Sequence, residues 1–324
     1  MTNVLLYWNH ICVLHNQEKA FLSRLAESLK AEDVALTVRY FGLGYPEHMS
    51  EYLAREDAVL PDLIVSADLE VFEDARLMEK LRPTLHQSRD FVPLADSAAL
   101  SCCERGAALL PILAIPLVYF TREPERAERT PLCEMDGLCI GGVNNSAIKT
   151  VAKTLLSHAG QAQTERFLAH ANVSDMPIGA YNQVRMGAQK TALVPSLYAL
   201  RADENQTFLR VPQEGPVLIP SYLAARTSIS RDLAQKLANR ILCKALCEFY
   251  AQNGDLILFP ACAETRSRQE SSRYFVPRAD WLQSYDPEAF EDFYAAHLQG
   301  AKKLFWGKNA LSAPASSEGK FSGS

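Results

Sequence analysis

Short apolar runs alternate with amphipathic stretches through the first 67 residues, and this order constrains the fold more than any other feature. Residues 3–8, 34–41 and 61–67 have the continuous or alternating apolar pattern of strands. Between them, one predicted helix is capped by Asn16 and a second covers residues 47–55. Strands and helices that alternate in this way predict an α/β fold with a parallel, doubly wound sheet.

A second unit of the same kind begins near residue 113. Residues 113–120 and 138–142 have the pattern of strands. An amphipathic helix follows them, and Asn144, Asn145 or Ser146 can cap it. The repeated order predicts a second α/β domain, as expected for a chain of 324 residues.

The last third of the chain returns to helix after an apolar, extended stretch at residues 216–225. Ser228 or Ser230 caps one long predicted helix, which Gly254 ends. From residue 313 the chain is mostly Ser, Gly, Pro and Ala, so residues 313–324 are predicted to form a disordered tail.

Composition and charge exclude two broad classes of protein. The net charge is -5, with acidic and basic residues interspersed, whereas a nucleic-acid binder would show a basic face. The longest apolar candidate, residues 109–120, contains two prolines and is shorter than the roughly 18 residues that a membrane span needs. We therefore expect no nucleic-acid partner and no membrane-spanning segment.

The amino terminus and the cysteines bear on location. No basic, apolar and small-residue sections follow one another as in a secretory signal. The eight cysteines include no CxxC pair and no zinc-ribbon spacing, which favours a reducing compartment. The sequence as it stands predicts a cytoplasmic protein, or a periplasmic or extracellular one if a leader has been removed.

Polar residues follow several of the predicted strands. Ser66 and Asp68 come at the end of the third strand, and Asn144, Asn145 and Ser146 open the helix of the second unit. Ligands of open α/β sheets bind beyond the carboxyl ends of the strands. The backbone N–H groups at the start of that helix also suit an anion, although the same residues can simply cap it. We expect all five residues to line a ligand-binding cleft.

Three potential metal ligands lie within six residues after the first strand, namely His10, Cys12 and His15. Imidazole and thiolate groups together suit Zn, Fe or Ni. The spacing matches no established zinc motif, so an ordinary loop is the alternative interpretation. His10 and Cys12 are also candidate ligand-binding residues.

Six segments, in this order, resemble the type II solute-binding proteins of ABC transporters, and specifically the iron and spermidine binders. They are DLIVSAD at 62–68, AIPLVY at 114–119, GAYNQVRMG at 179–187, ALVPSLY at 192–198, PQEGPVLIP at 212–220 and GDLILFP at 254–260. Gln213 and Glu214 replace the usual Glu-Asp of the family. The adjacent pair of tyrosines found in many ferric-ion binders is absent, which argues against free ferric iron as the ligand.

The resemblance implies the type II periplasmic binding protein fold, with two doubly wound α/β lobes joined by hinge strands. The first lobe would comprise residues 1–113 and 220–312, and the second residues 114–219. In this family Tyr181 and Tyr198 would lie in the second lobe, where ligand contacts are often placed. Either tyrosine could instead belong to the core.

The function that the resemblance implies is capture of a small ligand between the lobes by hinge closure. The ligand would be a metal ion, a metal complex or a small anion, and no cofactor would be required. A monomer that delivers its ligand to an ABC-transporter permease is expected.

Two other functions stay open from the sequence alone. A cytoplasmic ligand sensor could share the fold without a transporter. A cleft enzyme could use Cys12 as a nucleophile with a neighbouring histidine as its base. No catalytic signature supports the enzyme, because the sequence contains no nucleophile elbow, phosphate-binding loop or dinucleotide fingerprint.

Overall fold

The computed structural model describes residues 1–42, 45, 47–142, 146–203, 205–271, 273–298 and 302–304. For residues 12, 199 and 302–304 it describes the backbone alone. The strands in these ranges are β1 (Thr2–Asn9), β2 (Val34–Phe41), β3 (Leu63–Ser66), β4 (Leu110–Thr121), β5 (Cys139–Gly141), β6 (Asn172–Ser174), β7 (Thr191–Pro195), β8 (Phe208–Arg210), β9 (Val217–Ala225), β10 (Ile257–Leu258) and β11 (Lys302–Leu304).

The α-helices connect and flank these strands. They are α1 (His15–Lys30), α2 (Met49–Ala54), α3 (Glu70–Glu73), α4 (Ala75–Leu81), α5 (Ala98–Cys103), α6 (Pro124–Arg129), α7 (Ser146–Ala159), α8 (Gln161–His170), α9 (Pro177–Arg185), α10 (Ser196–Ala199), α11 (Arg231–Ile241), α12 (Lys244–Gly254), α13 (Ala279–Ser284) and α14 (Pro287–Leu298). Alternation of strands and helices confirms the predicted α/β class.

The first three strands form the parallel sheet that the sequence pattern predicts. β1 pairs in parallel with β2 over its whole length and with β3 on its other side. α1 crosses from β1 to β2 and buries Leu22, Leu25 and Leu29, which lie at helical spacing on one face. Because β1 lies between β2 and β3, its own residues are buried on both faces of the sheet.

Two long strands, β4 and β9, run through the middle of the sheet. They pair antiparallel from Leu110 opposite Leu223 to Leu117 opposite Val217. The register shifts between Pro111 and Leu113, so the bulge lies where proline has no N–H to give to the ladder. β9 also pairs with β3, and β4 also pairs with β7. We call β4 and β9 the crossing strands.

Beyond the crossing strands the sheet continues as β7, β5, β6 and β11, in that order. β5 is parallel to both β6 and β7, which repeats the doubly wound arrangement of the amino-terminal strands. We call the region around β1, β2 and β3 the first lobe, and the region around β5, β6 and β7 the second lobe.

The carboxyl-terminal helix packs on the second lobe. Phe290, Tyr294 and Leu298 of α14 belong to the same hydrophobic cluster as Leu155 of α7 and Phe167 of α8. β11 pairs in parallel with β6 and so extends the second lobe's sheet. The family resemblance implies that residues 220–312 belong to the first lobe as one block, whereas the aromatic residues of α14 pack against apolar residues of the second lobe. Residues 313–324 lie outside the described residues.

Two helix boundaries differ from the sequence prediction. α1 begins at His15 with Leu14 as its N-cap, so Asn16 lies inside the helix and does not cap it. The long helix predicted up to Gly254 is two helices, because Leu242 leaves the helical conformation with φ -87° and ψ 41°. Ser230 caps the first of them, since its side chain accepts a hydrogen bond from the N–H of Leu233.

No helix within the described ranges is long and apolar enough to cross a membrane.

Candidate functional site

A cleft of about 300 Å³ lies between the two lobes, with the crossing strands at its base. Both lobes and both crossing strands contribute to its wall, and its size suits a small ligand. The residues that line it are Asn9, His10, Ile11, Gly42, Tyr45, His48, Ala67, Asp68, Ile115, Leu117, Gly142, Ser146, Ala147, Asp175, Met176, Pro177, Pro195, Leu197, Tyr198 and Ile219.

His10 follows β1, and a buried carboxylate on the side away from the cleft forms a hydrogen bond with its imidazole. Its Nδ1 lies 2.8 Å from Oε2 of Glu18, and the two side chains are 1% and 0% exposed. Because a carboxylate only accepts, the proton of this contact belongs to Nδ1. The ring stacks on Tyr40 with centroids 4.7 Å apart, and Nε2 lies 3.5 Å from the hydroxyl of Tyr45. A carboxylate behind an imidazole is the usual support of a histidine that binds a ligand through its other nitrogen.

Glu18 is a residue that the sequence analysis missed. Besides His10, it accepts hydrogen bonds from the backbone N–H of Ile11 (3.1 Å) and from the hydroxyl of Tyr250 (2.7 Å). Burial, together with the neighbouring Glu18 carboxylate, raises the pKa of Tyr250 well above its usual value. An acidic residue in the first turn of a helix is ordinarily a solvated one, so the sequence contains no signal that Glu18 is buried.

Asp68 follows β3 and lines the cleft, as the sequence analysis predicts. The hydroxyl of Ser66, which is fully buried, accepts the N–H of Asp68 at 2.9 Å and fixes the turn. Ser66 therefore supports the site from behind without lining it. The Asp68 carboxylate accepts the hydroxyl of Ser50 at 2.9 Å and that of Ser146 at 2.9 Å. Since Ser146 belongs to the second lobe, Asp68 connects the two walls of the cleft.

The start of α7 was predicted to hold an anion. Ser146 is its first residue and lines the cleft, while Asn144 and Asn145 lie outside the described residues. The hydroxyl of Ser146 donates a hydrogen bond to the Asp68 carboxylate, which therefore lies near the start of α7. A carboxylate in that position already complements the positive end of the helix dipole, so this part of the cleft is less suited to an anionic ligand.

Two lysines of α7 connect the lobes next to the Asp68–Ser146 contact. Lys149 pairs with Glu70 of α3 and, at 2.9 Å, with Glu291 of α14. Lys153 pairs with Glu73 at 2.5 Å and is 6% exposed. Desolvation lowers the pKa of Lys153, but Glu73 and Tyr285, through their charges and hydrogen bonds, together outweigh it, so the pKa lies above its usual value. We call Asp68–Ser146, Glu70–Lys149 and Glu73–Lys153 the polar ladder.

The two predicted tyrosines lie one behind the other in the second lobe. Tyr198 is buried at the wall of the cleft, and its ring lies 6.0 Å from that of Tyr181. Tyr181 packs against Phe120 with centroids 4.6 Å apart and lies in the hydrophobic cluster behind the wall. The structure therefore brings Tyr198, but not Tyr181, to the described part of the cleft lining.

The predicted metal ligands are only partly brought together. The rings of His10 and His15 are 6.0 Å apart and nearly perpendicular, and His15 is not among the lining residues. The side chain of Cys12 lies outside the described part of the chain. Among the side chains that are described, no three His, Cys, Asp or Glu residues converge as a metal site.

Other cleft residues were not singled out from the sequence. Tyr45 and His48 follow β2, and Asp175 follows β6. Their positions at strand ends are the signal that could have identified them, but β6 has only three residues and was not predicted as a strand. None of the lining residues in the described ranges is Lys or Arg, so Asp68 and Asp175 make the cleft acidic.

Comparison with known proteins identifies the fold. No family model and no curated protein sequence matches the chain. Among solved structures it is similar to iron-bound HitA from Pseudomonas aeruginosa, at 13% identity and TM-score 0.67 over 92% of this chain and 99% of that one. It is also similar to the substrate-binding protein of an ABC transporter from Agrobacterium tumefaciens, at 10% identity and TM-score 0.59 over 93% and 96%.

A third similar structure is that of a two-component system protein that mediates signal transduction, at 13% identity and TM-score 0.60 over 90% of this chain and all of that one. The coverage is nearly complete in every case, so the likeness concerns the whole two-lobed architecture. The chain has the fold of the type II periplasmic binding proteins, as its sequence resemblance implied.

Proposed function

We propose that this protein is a solute-binding protein that captures a small metal-bearing ligand between its lobes by closing about the crossing strands. The observation that carries the proposal is the cleft itself, because polar side chains from both lobes line it and several of them lie at strand ends. The sequence boundaries given above for the lobes are part of this proposal, with α14 transferred to the second lobe.

The lining favours a cationic or metal-bearing ligand over a free anion. Asp68 and Asp175 supply negative charge, and His10 and Tyr45 supply nitrogen and oxygen donors on the first lobe. Such a donor set suits a transition metal. Because three acidic, histidine or cysteine ligands do not converge within the described residues, a metal that brings its own co-ligands fits better than a bare ion. The similarity to iron-bound HitA supports this choice.

The remaining expectations belong to the same proposal. The similarity to an ABC-transporter substrate-binding protein supports delivery of the ligand to a permease. We also propose that the protein is a monomer and acts in the periplasm or outside the cell. A ligand sensor is the second candidate, favoured by the similarity to the two-component system protein. Both require reversible capture of the same ligand, and a pull-down with either a permease or a sensor kinase distinguishes them.

The proposal is tested by thermal-shift measurements with Fe³⁺, Ni²⁺ and Zn²⁺, each as the bare salt and as the citrate complex, and with citrate, phosphate and sulfate alone. A true ligand at a hundred-fold excess over its dissociation constant stabilises the folded state by about 3 kcal/mol. His10→Ala should reduce that shift, whereas His170→Ala on exposed α8 should leave it unchanged. Catalytic turnover of a bound compound, or the absence of any shift across the panel, would contradict the proposal.

A further inference from the structure

Two thiols meet on the outer side of the molecule, where the chain passes from α11 to α12. Cys247 lies in the first turns of α12 and is buried, whereas Cys262 lies in the segment after β10 and is exposed. Their sulfur atoms are 3.9 Å apart. Both thiols donate towards the carbonyl of Leu242, from Cys262 at 3.3 Å and from Cys247 at 3.9 Å. The helix break at Leu242 therefore provides the acceptor that gathers the pair.

The segment that carries Cys262 is fastened to α12 next to the thiols. Glu248, which follows Cys247, accepts the backbone N–H groups of Glu264 (2.8 Å) and Thr265 (3.1 Å), and also the Thr265 hydroxyl. Lys244 forms an ion pair with Glu264 at 2.5 Å. These bonds keep the two sulfur atoms adjacent, which gives one thiol a high effective concentration towards the other.

We propose that Cys262 and Cys247 form an oxidation site at which a small peroxide is reduced and an intrachain disulfide is made. The Cys262 thiolate attacks one oxygen of hydrogen peroxide, the O–O bond breaks, and the products are a Cys262 sulfenic acid and, after protonation of the released hydroxide, water. The Cys247 sulfur then attacks the sulfenic sulfur, and a second water leaves. Two thiols lose two electrons and two protons, and the peroxide becomes two waters.

Accessibility sets the order of the two steps. Cys262 is reached from solvent, so it meets the peroxide first. Burial raises the pKa of the Cys247 thiol, and the neighbouring Cys262 raises it further. Cys247 therefore reacts second, when the adjacent Cys262 has already become a sulfenic acid.

The disulfide would join residues 15 positions apart, and its effect reaches the cleft wall through hydrogen bonds. Ser267, in the same segment as Cys262, donates to the backbone carbonyl of Asp255 at 2.9 Å. The hydroxyl of Ser196 donates to that same carbonyl at 3.2 Å, and Leu197 and Tyr198 beside it line the cleft. The cross-link therefore fixes a segment that supports the second-lobe wall.

The test treats the purified, fully reduced protein with hydrogen peroxide and then maps its thiols by peptide mass spectrometry. The wild type should lose two of its eight thiols and yield a peptide that links Cys247 to Cys262. Its melting temperature should rise by about 5 °C, as for a disulfide that closes a loop of about 15 residues, and dithiothreitol should reverse the rise.

Three variants complete the test. Cys262→Ser and Cys247→Ala should each abolish the linked peptide and the rise in melting temperature, and the exposed position of Cys262 leaves its variant folded. Cys243→Ser, a matched change at the N-cap of α12, should retain both effects. A linked peptide that contains a different cysteine, an unlinked Cys262 sulfinic acid as the main product, or equal thiol loss in Cys247→Ala and the wild type would overturn the proposal.

Discussion

Glu18 is a carboxylate with no exposed surface, and it satisfies three buried donors, namely His10, the backbone N–H of Ile11 and Tyr250. Glu18→Ala would leave all three without an acceptor. Each unsatisfied buried donor costs about 1–3 kcal/mol, so we expect the free energy of unfolding to fall by at least about 3 kcal/mol. Urea unfolding followed by circular dichroism measures the loss.

The matched control for this change is Glu27→Ala on the same helix. Glu27 is 72% exposed and pairs with Lys30 at the surface, so its replacement should change the unfolding free energy by less than about 0.5 kcal/mol. Similar losses in the two variants would show that Glu18 does not have the buried role assigned to it.

For single residues, the sequence predicts those that line the cleft at strand ends, but it does not predict residues whose role depends on a contact with a distant part of the chain. His10, Asp68 and Tyr198 line the cleft within three residues of a strand end, and Ser146 lines it at the start of a helix. The burial of Glu18 depends on Tyr250, which is 232 residues away in the chain, and no local pattern encodes such a contact.

Helix boundaries are decided by capping interactions that the sequence leaves open. Ser228 and Ser230 were equally good candidates for the start of α11. Ser230 accepts the N–H of Leu233, whereas the hydroxyl of Ser228 donates to Asp62. We expect Ser230→Ala to lower the unfolding free energy by about 1 kcal/mol and Ser228→Ala, at an exposed hydrogen bond, by about half of that or less. Thermal unfolding of both variants tests this, and an equal or reversed order would contradict the assignment.

Among the elements, the long and regular ones were predictable, and so was the short strand β5, whereas the short strands β6 and β10 were not. β1, β2 and α1 have enough residues for their periodicity to stand out. β6 has three residues and β10 two, and both exist because a neighbouring strand supplies their hydrogen bonds. The break at Leu242 is equally hidden, since its flanking residues all have acceptable helix propensity.

For the whole molecule, the order of motifs along the chain predicted the two-lobed fold, whereas the position of the last helix could not be predicted. The aromatic face of α14 would suit either lobe. It packs on the second lobe because α7 and α8 leave an apolar surface there, and because Glu291 meets Lys149 beside it. Which lobe receives a terminal amphipathic helix is thus settled by tertiary packing and charge, both of which lie outside a local pattern.

The polar ladder predicts how closure depends on charge. Glu70–Lys149 and Glu73–Lys153 connect the lobes at sites that are mostly buried, so they stabilise the closed arrangement over an open one. We expect the double change Lys149→Met and Lys153→Met to remove about 2 kcal/mol of this preference, which is about 30-fold in the ratio of closed to open molecules. Small-angle X-ray scattering of the ligand-free protein should then show a larger radius of gyration.

The control is Lys190→Met, which removes an ion pair with Glu123 in which the lysine is 71% exposed, so it should leave the radius of gyration unchanged. An unchanged radius in the double variant would mean that the crossing strands alone hold the lobes together.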